Sequence, residues 1–276
     1  MGKSYNQIGR HFEDRNLNGA VDLESQNWWS GLSQTSKILR AGGEGIMSSG
    51  TSTGLQRNFH AITTNTSILA DSSRFVRRYG AAIRAYLQAL ISNEHDADEV
   101  EQDLLLQVVE RGFPDGMGRR GRFRYYLMTV VRNAALGYFR KKSRRPISVA
   151  DLSSIPAAVI ADRAWDRSWR ECVMKGAWLA LRKHEQSNSG NLFHTVLRTS
   201  VKHGEEDSSM LAVRVSSATG QELTAEAFRK QLSRARRKFG ELLINEVART
   251  MTAVTPDMLE EELASLDLLK YVRWQT

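Results

Sequence analysis

The chain has 276 residues, 41% of them hydrophobic and 25% charged, a balance that fits a globular protein and excludes a fibrous or wholly disordered one. That length is more than one small core usually serves, so two compact units and a linker are expected. Lys and Arg number 39 against 31 acids, a formal net charge of +8, which places a polyanion such as nucleic acid first among partner classes.

No stretch approaches the roughly 18 consecutive apolar residues that a membrane span needs. The opening MGKSYNQIGRHFEDR lacks the apolar core of a secretory signal, so a cytoplasmic location and no membrane partner are expected. Cys172 is the single cysteine, which excludes an internal disulfide and a cysteine-built zinc site.

Residues 1–66 are rich in Ser, Thr, Gly and Asn, include AGGEGIMSSGTSTG, and read as a mostly disordered extension. The first compact unit is expected over 67–145. Asp71 is placed as a helix cap, followed by Phe75, Tyr79, Ile83, Tyr86, Leu87 and Leu90 on one apolar face. Asp96, with Glu99 three residues on, is expected to cap a second helix. Its inner face is Ala97, Val100, Leu104 and Val108, which leaves Glu99, Gln102 and Asp103 toward solvent.

The third helix carries Phe123, Leu127, Val130, Val131, Ala134 and Tyr138 on one stripe, with Arg124, Arg132 and Arg140 away from its centre. It is expected to end near Arg145-Pro146, because the residue before a proline disfavours helix. Residues 146–164 hold two prolines and no long period and read as the linker.

A second unit is expected over 165–250. It begins with Trp165, Trp169, Cys172, Val173, Ala177 and Leu181 at helical spacing, then a short helix with Phe193, Val196, Leu197 and Val201. A helix over 208–216, a turn at Gly220 and a helix after Thr224 complete it, the last turning Phe228, Leu232, Ala235, Phe239 and Leu242 inward. Residues 251–276 form a carboxy-terminal helical extension opened by Thr255-Pro256, with internal packing of Leu259, Leu263, Leu266 and Leu269 as the default. No segment reads as a strand ladder, so the expected fold is all-α: two small helical domains joined by a linker, the second containing a helix-turn-helix.

Charge is segregated along this plan. From Glu94 to Glu110 seven acids stand without Lys or Arg, and from Arg119 to Arg145 ten bases stand without an acid. Such runs suggest outside partners that neutralise them; solvated helix faces are the other reading. Gly116, Gly118 and Gly121 spell a dinucleotide fingerprint, but a helix precedes them and the next acid after Asp115 is Asp151, so a nucleotide cofactor is not expected. The acids of 94–110 mostly decorate the outside of one helix, which suits protein docking better than Mg²⁺. The six histidines show no ligand spacing, and no catalytic residue, metal or cofactor is expected.

A short helix, a glycine turn and a longer basic helix are the layout of a helix-turn-helix, whose second helix enters the major groove. Glu226, Arg229, Lys230 and Ser233 are candidates for base edges, and Arg234, Arg237 and Lys238 for phosphates. Around the third helix, Phe123, Tyr125, Tyr126, Tyr138 and Phe139 alternate with arginines, a mixture that suits unpaired bases through stacking and charge.

DADEVEQDLLLQVV followed by RGRFRYYLMTVVRNAALGYFRKKSRR resembles region two of RNA polymerase sigma factors of the extracytoplasmic-function type in the sigma-70 family. LTAEAFRKQLSRARRKFGELL after SSMLAVRVSSATG resembles their region four, and the two segments stand in the family's order across residues 70–250. The resemblance implies a non-enzymatic initiation factor whose partners are core RNA polymerase and promoter DNA, acting in the bacterial cytoplasm and on the nucleoid once bound to polymerase. It leaves room for an anti-sigma factor.

Carried over by matching position, polymerase docking falls to Asp98, Glu99, Gln102 and Asp103. Melting and holding the minus-ten strand falls to Arg119, Arg120, Arg122, Phe123, Arg124, Tyr126, Arg132 and Asn133. Reading the minus-thirty-five duplex falls to Thr224, Arg229, Lys230, Ser233, Arg234 and Arg237. Tyr126 departs from the tryptophan common in the family, and SSATGQELT is a long turn for region four. Two other readings stay open from the residues: a polymerase-independent helix-turn-helix regulator, and a metal-dependent nucleic-acid enzyme using the 94–110 carboxylates.

Overall fold

The computed structural model describes residues 72–111, 122–142, 156–251 and 254–272. The expected extension 1–66, the Asp71 cap, the Gly116–Gly121 loop with Arg119 and Arg120, the Arg145-Pro146 helix end and most of the linker lie outside those residues. The helices, in chain order, are α1 (Ser72–Leu90), α2 (Glu94–Arg111), α3 (Phe123–Lys142), α4 (Pro156–Ser187), α5 (Phe193–Lys202), α6 (Ser208–Thr219), α7 (Ala225–Ala248), α8 (Pro256–Ser265) and α9 (Leu269–Val272). Among the described residues no strand forms beyond an isolated bridge between Arg122 and Met251, and the all-α expectation holds.

The spine is α4. Its 32 residues span about 48 Å at 1.5 Å per residue and bury Ala161, Trp165, Trp169, Val173, Ala177 and Leu181 along one side. Helix α1 packs along its first half, and α7 and α5 along the second. Residues 156–164, expected as linker, are therefore the start of this helix. Pro156 is its first residue, where the missing N–H costs nothing, so a proline that reads as a break is a helix opener.

Aromatic packing on α4 joins α1 and α3 to it. Tyr79 of α1 stacks on Trp169 with ring centroids 4.5 Å apart, Phe123 of α3 lies 6.1 Å from the same indole, and Tyr86 meets Trp165 edge-on. One cluster of buried apolar side chains runs from Phe75 through these rings to Phe239, Leu243 and Val247 of α7, Leu259 and Leu263 of α8, and Leu266 just after it. The carboxy-terminal leucines pack internally, as expected, with Leu269 partly buried.

A smaller cluster of Leu192, Val196, Leu211, Ala212, Val215 and Phe228 fixes α5, α6 and the start of α7. Gly220 ends α6 in the left-handed region at φ 71°, which favours glycine. The Ser216 hydroxyl then accepts from the Leu223 N–H at 2.9 Å and holds the turn, and Thr224 caps α7 by accepting from the Ala227 N–H.

Two local expectations shift. Asn93, not Asp96, caps α2, its side-chain oxygen accepting from the Asp96 N–H at 3.2 Å. The buried stripe of α3 is Phe123, Arg124, Leu127, Val131, Ala135 and Leu136, so it is turned toward Arg124 and leaves Val130, Ala134 and Tyr138 only partly covered.

Because Trp169 touches rings from α1, α3 and its own helix, Trp169→Ala is expected to lower stability by about 3–5 kcal/mol, measured by urea unfolding.

Candidate functional site

The acidic run of α2 divides into two groups. Glu99, Gln102 and Asp103 are exposed and Asp98 is half-buried, all on an outward face. Continuing one turn along it, Leu106 is 46% exposed and Val109 53%, adding apolar surface beside the carboxylates. Acids beside exposed apolar groups make this face a candidate docking surface, and the two apolar residues were not picked out from the sequence. Their i+3 and i+4 spacing from Gln102, Asp103 and Leu105 was the available signal.

Two further acids of α2, Glu101 and Asp96, are internal ties. Glu101 is buried and receives the Arg84 guanidinium at 2.8 Å, and that bond is the main cause raising the Arg84 pKa. Asp96 accepts from the Lys142 ammonium at 2.7 Å and the Tyr138 hydroxyl at 2.5 Å, fastening the start of α2 to the end of α3. The Lys142 bond first, then the Tyr138 bond, holds the Asp96 carboxyl below the usual aspartate range.

On α3 the arginines are engaged. Arg124 is 2% exposed and Glu262 of α8 is 1% exposed; Nε of the arginine donates to the carboxylate at 2.8 Å and a second nitrogen donates at 3.3 Å. Arg124 also donates to Asp166 of α4, to the Ser265 hydroxyl at 2.9 Å and to the Tyr125 hydroxyl at 3.0 Å. Burial works against the charged guanidinium, but its contacts with Glu262 and Asp166 outweigh that and raise its pKa. At Asp166 burial outweighs the attraction of Arg124, and the carboxyl pKa rises.

Arg122 pairs with Glu261 and, at 3.3 Å, with Glu262, while its backbone segment is held by the Phe123 N–H donating to the Thr250 carbonyl. Arg132 donates to Asp162 of α4 at 2.8 Å and to the Tyr86 hydroxyl at 3.0 Å. Tyr125 is 43% exposed, with both Arg122 and Arg124 over its ring.

Of the residues expected to meet a single strand, the structure thus gathers Arg124, Tyr126, Arg132 and Asn133 on α3 and Arg122 just before it, with Asn133 exposed and Tyr126 half-buried. Phe123 is a correction: at 4% exposure, packed against Phe75, Tyr79 and Trp169, its ring has no face left for a base. Sequence reasoning missed Asp162, Asp166, Glu261 and Glu262, whose separation from their arginines by 30 to 139 positions leaves no local pattern to find.

On α7 the opposite holds. Arg229, Lys230, Ser233, Arg234 and Arg237 are all exposed and recur at helical spacing opposite Phe228, Ala235 and Phe239. Lys230 pairs with Glu226 on the same face, while Arg229, Arg234 and Arg237 make no ion pair among the described residues. Lys238 is partly buried and bonded to Glu241. Thr224 is spent on the helix cap. Among the described residues no group of three or more His, Cys, Asp or Glu side chains converges on a metal position, and no helix is long and apolar enough to cross a membrane.

Residues 75–145, which run from α1 to just past α3, match the protein-family model for Sigma-70 region 2, and this supports a sigma-70 family factor. Neither a curated protein nor a solved structure matches the chain.

Two measurements check the electrostatics. Arg124→Ala strands a buried carboxylate and is expected to cost about 3–5 kcal/mol in urea unfolding, whereas Arg132→Ala, whose pair is partly solvated, is expected to cost about 1 kcal/mol or less. Since the Asp96 pKa is depressed in the folded chain, its pairing stabilises above the unfolded pKa and is lost as pH falls through the folded one. Carboxyl NMR titration should place Asp96 below an ordinary aspartate, and Lys142→Ala should move it back up.

Proposed function

We propose that the protein is a sigma-70 family transcription initiation factor that binds core RNA polymerase and directs it to promoter DNA. The observation that carries this reading is the match of residues 75–145 to sigma-70 region 2. The charge arrangement supports it: an outward acidic face on α2 and a basic α3 are tied to each other by the Asp96–Lys142 and Asp96–Tyr138 contacts.

In this reading Asp98, Glu99, Gln102 and Asp103, with Leu106 and Val109 beside them, dock on polymerase. Helix α3, with Arg124, Tyr126, Arg132 and Asn133, and Arg119, Arg120 and Arg122 before it, holds the opened minus-ten strand. Helices α6 and α7 act as a helix-turn-helix, with Arg229, Lys230, Ser233, Arg234 and Arg237 toward the minus-thirty-five duplex. Phosphate contacts on duplex set position, and bases captured out of the stack offset part of the cost of melting. The factor belongs to the extracytoplasmic-function type, acts in the cytoplasm and contributes no catalytic group of its own.

The test is retention by core polymerase. Asp98→Lys with Glu99→Lys should lower capture by immobilised core enzyme about tenfold or more while circular dichroism and melting stay unchanged, since both side chains lie outside the ion ties of α2. Equal capture of parent and variant would refute the docking assignment.

A further inference from the structure

Three of the arginines assigned to the opened strand, Arg122, Arg124 and Arg132, are already occupied by carboxylates of the chain itself. Two come from α8 (Glu261 and Glu262) and two from one face of α4 (Asp162 and Asp166), and together they engage Arg122, Arg124 and Arg132. The contrast with α7 is sharp: there Arg229, Arg234 and Arg237 stand exposed without an ion pair among the described residues. A guanidinium binds a carboxylate and a phosphate through the same planar fork of donors, so the two ligands compete for one geometry.

From this we infer that the carboxy-terminal helix α8 is an autoinhibitory latch: its Glu261 and Glu262, backed by Asp162 and Asp166 of α4, hold the arginines of α3 in place of DNA phosphates and must be displaced before the strand is bound. The inference rests on the reading of α3 as a nucleic-acid-binding helix. Arg124 at 2% exposure reaches no outside ligand while Glu262 covers it. The latch is anchored by its apolar side: Leu259 and Leu263 are sunk in the main core, so α8 sits on a defined seat.

The seat is also releasable. It is a short helix of ten residues, and the residues that tie it to α3 are charged. Breaking such a pair strands charge unless a competing anion replaces the carboxylate, which a phosphate backbone does. Displacement is thereby coupled to DNA binding: α8 departs only when something of like charge arrives. The duplex-reading face on α7 carries no such cover and stays available throughout, so the free chain distinguishes closed duplex from opened strand before polymerase is involved.

The test uses the full chain and a fluorescein-labelled single-stranded DNA of mixed sequence, followed by anisotropy at fixed salt. Glu261→Gln with Glu262→Gln removes the charge while keeping volume and should tighten binding about tenfold, within the 5–150-fold range of ordinary coupling between sites. A control, Glu171→Gln with Glu205→Gln, removes two exposed acids elsewhere and should change affinity far less. Equal tightening in both would overturn the latch, because it would reduce the effect to net charge.

Hydrogen exchange on the unmodified chain is the second measurement and needs no variant to fold. Amides of 256–265 should exchange faster when the oligonucleotide is bound, and unchanged protection would overturn the latch. Retention of the parent chain on core polymerase separates the failures. If the parent is retained but the variant gains no DNA affinity, the latch alone is wrong. If the parent neither binds polymerase nor DNA, the functional reading falls with it.

Discussion

A guanidinium and a carboxylate, both almost fully removed from water, face each other across Arg124 and Glu262. Each would be costly to bury alone, and the pair is tolerable only because the arginine's remaining donors reach Asp166, Ser265 and Tyr125. That contact sets the position of α8 on α3 and, through Asp166, of α3 on α4. It makes the basic helix α3 an internal surface as well as a candidate external one.

The long helix α4 makes this arrangement possible. Its first half supplies the aromatic floor for α1 and α3 and its second half the floor for α5 and α7, so α1 and α3 share one apolar cluster with α7 and α8. A second buried charge network sits where these halves meet, with Glu246 of α7 paired to Arg78 of α1 and, at 2.6 Å, to Arg249. Gly176 of α4 lies directly beneath, and a Cβ there would meet the Arg78 and Glu246 side-chain ends, which would have to shift to admit it. Polar ties of this kind fix which face meets which, a demand that apolar packing alone meets poorly.

Much of the fold could be read from the residues because its helices are long and amphipathic. The apolar periods of α1 and α7, the Thr224 cap, the Thr255-Pro256 opening and the Gly220 turn each depend on neighbours within a few positions. What escaped reading was non-local or ambiguous. Pro156 is compatible with both a linker and a first helical turn, and only packing of Ala158 and Ala161 against α1 decides between them. Arg124 looks like a solvated base on its own helix, since nothing near it in sequence announces a carboxylate 138 positions away. The charge runs were legible as runs. Their division into outward groups such as Glu99 and inward ones such as Glu101 depends on which turn of α2 meets Arg84, a fact of tertiary structure.

Transcription in vitro from a randomised promoter library, with core enzyme and the purified protein, tests the proposal that this chain gives core RNA polymerase its promoter choice. The expected transcripts depend on the protein and share two upstream elements at constant separation. Transcript yields and start sites identical to those of core enzyme alone would contradict it.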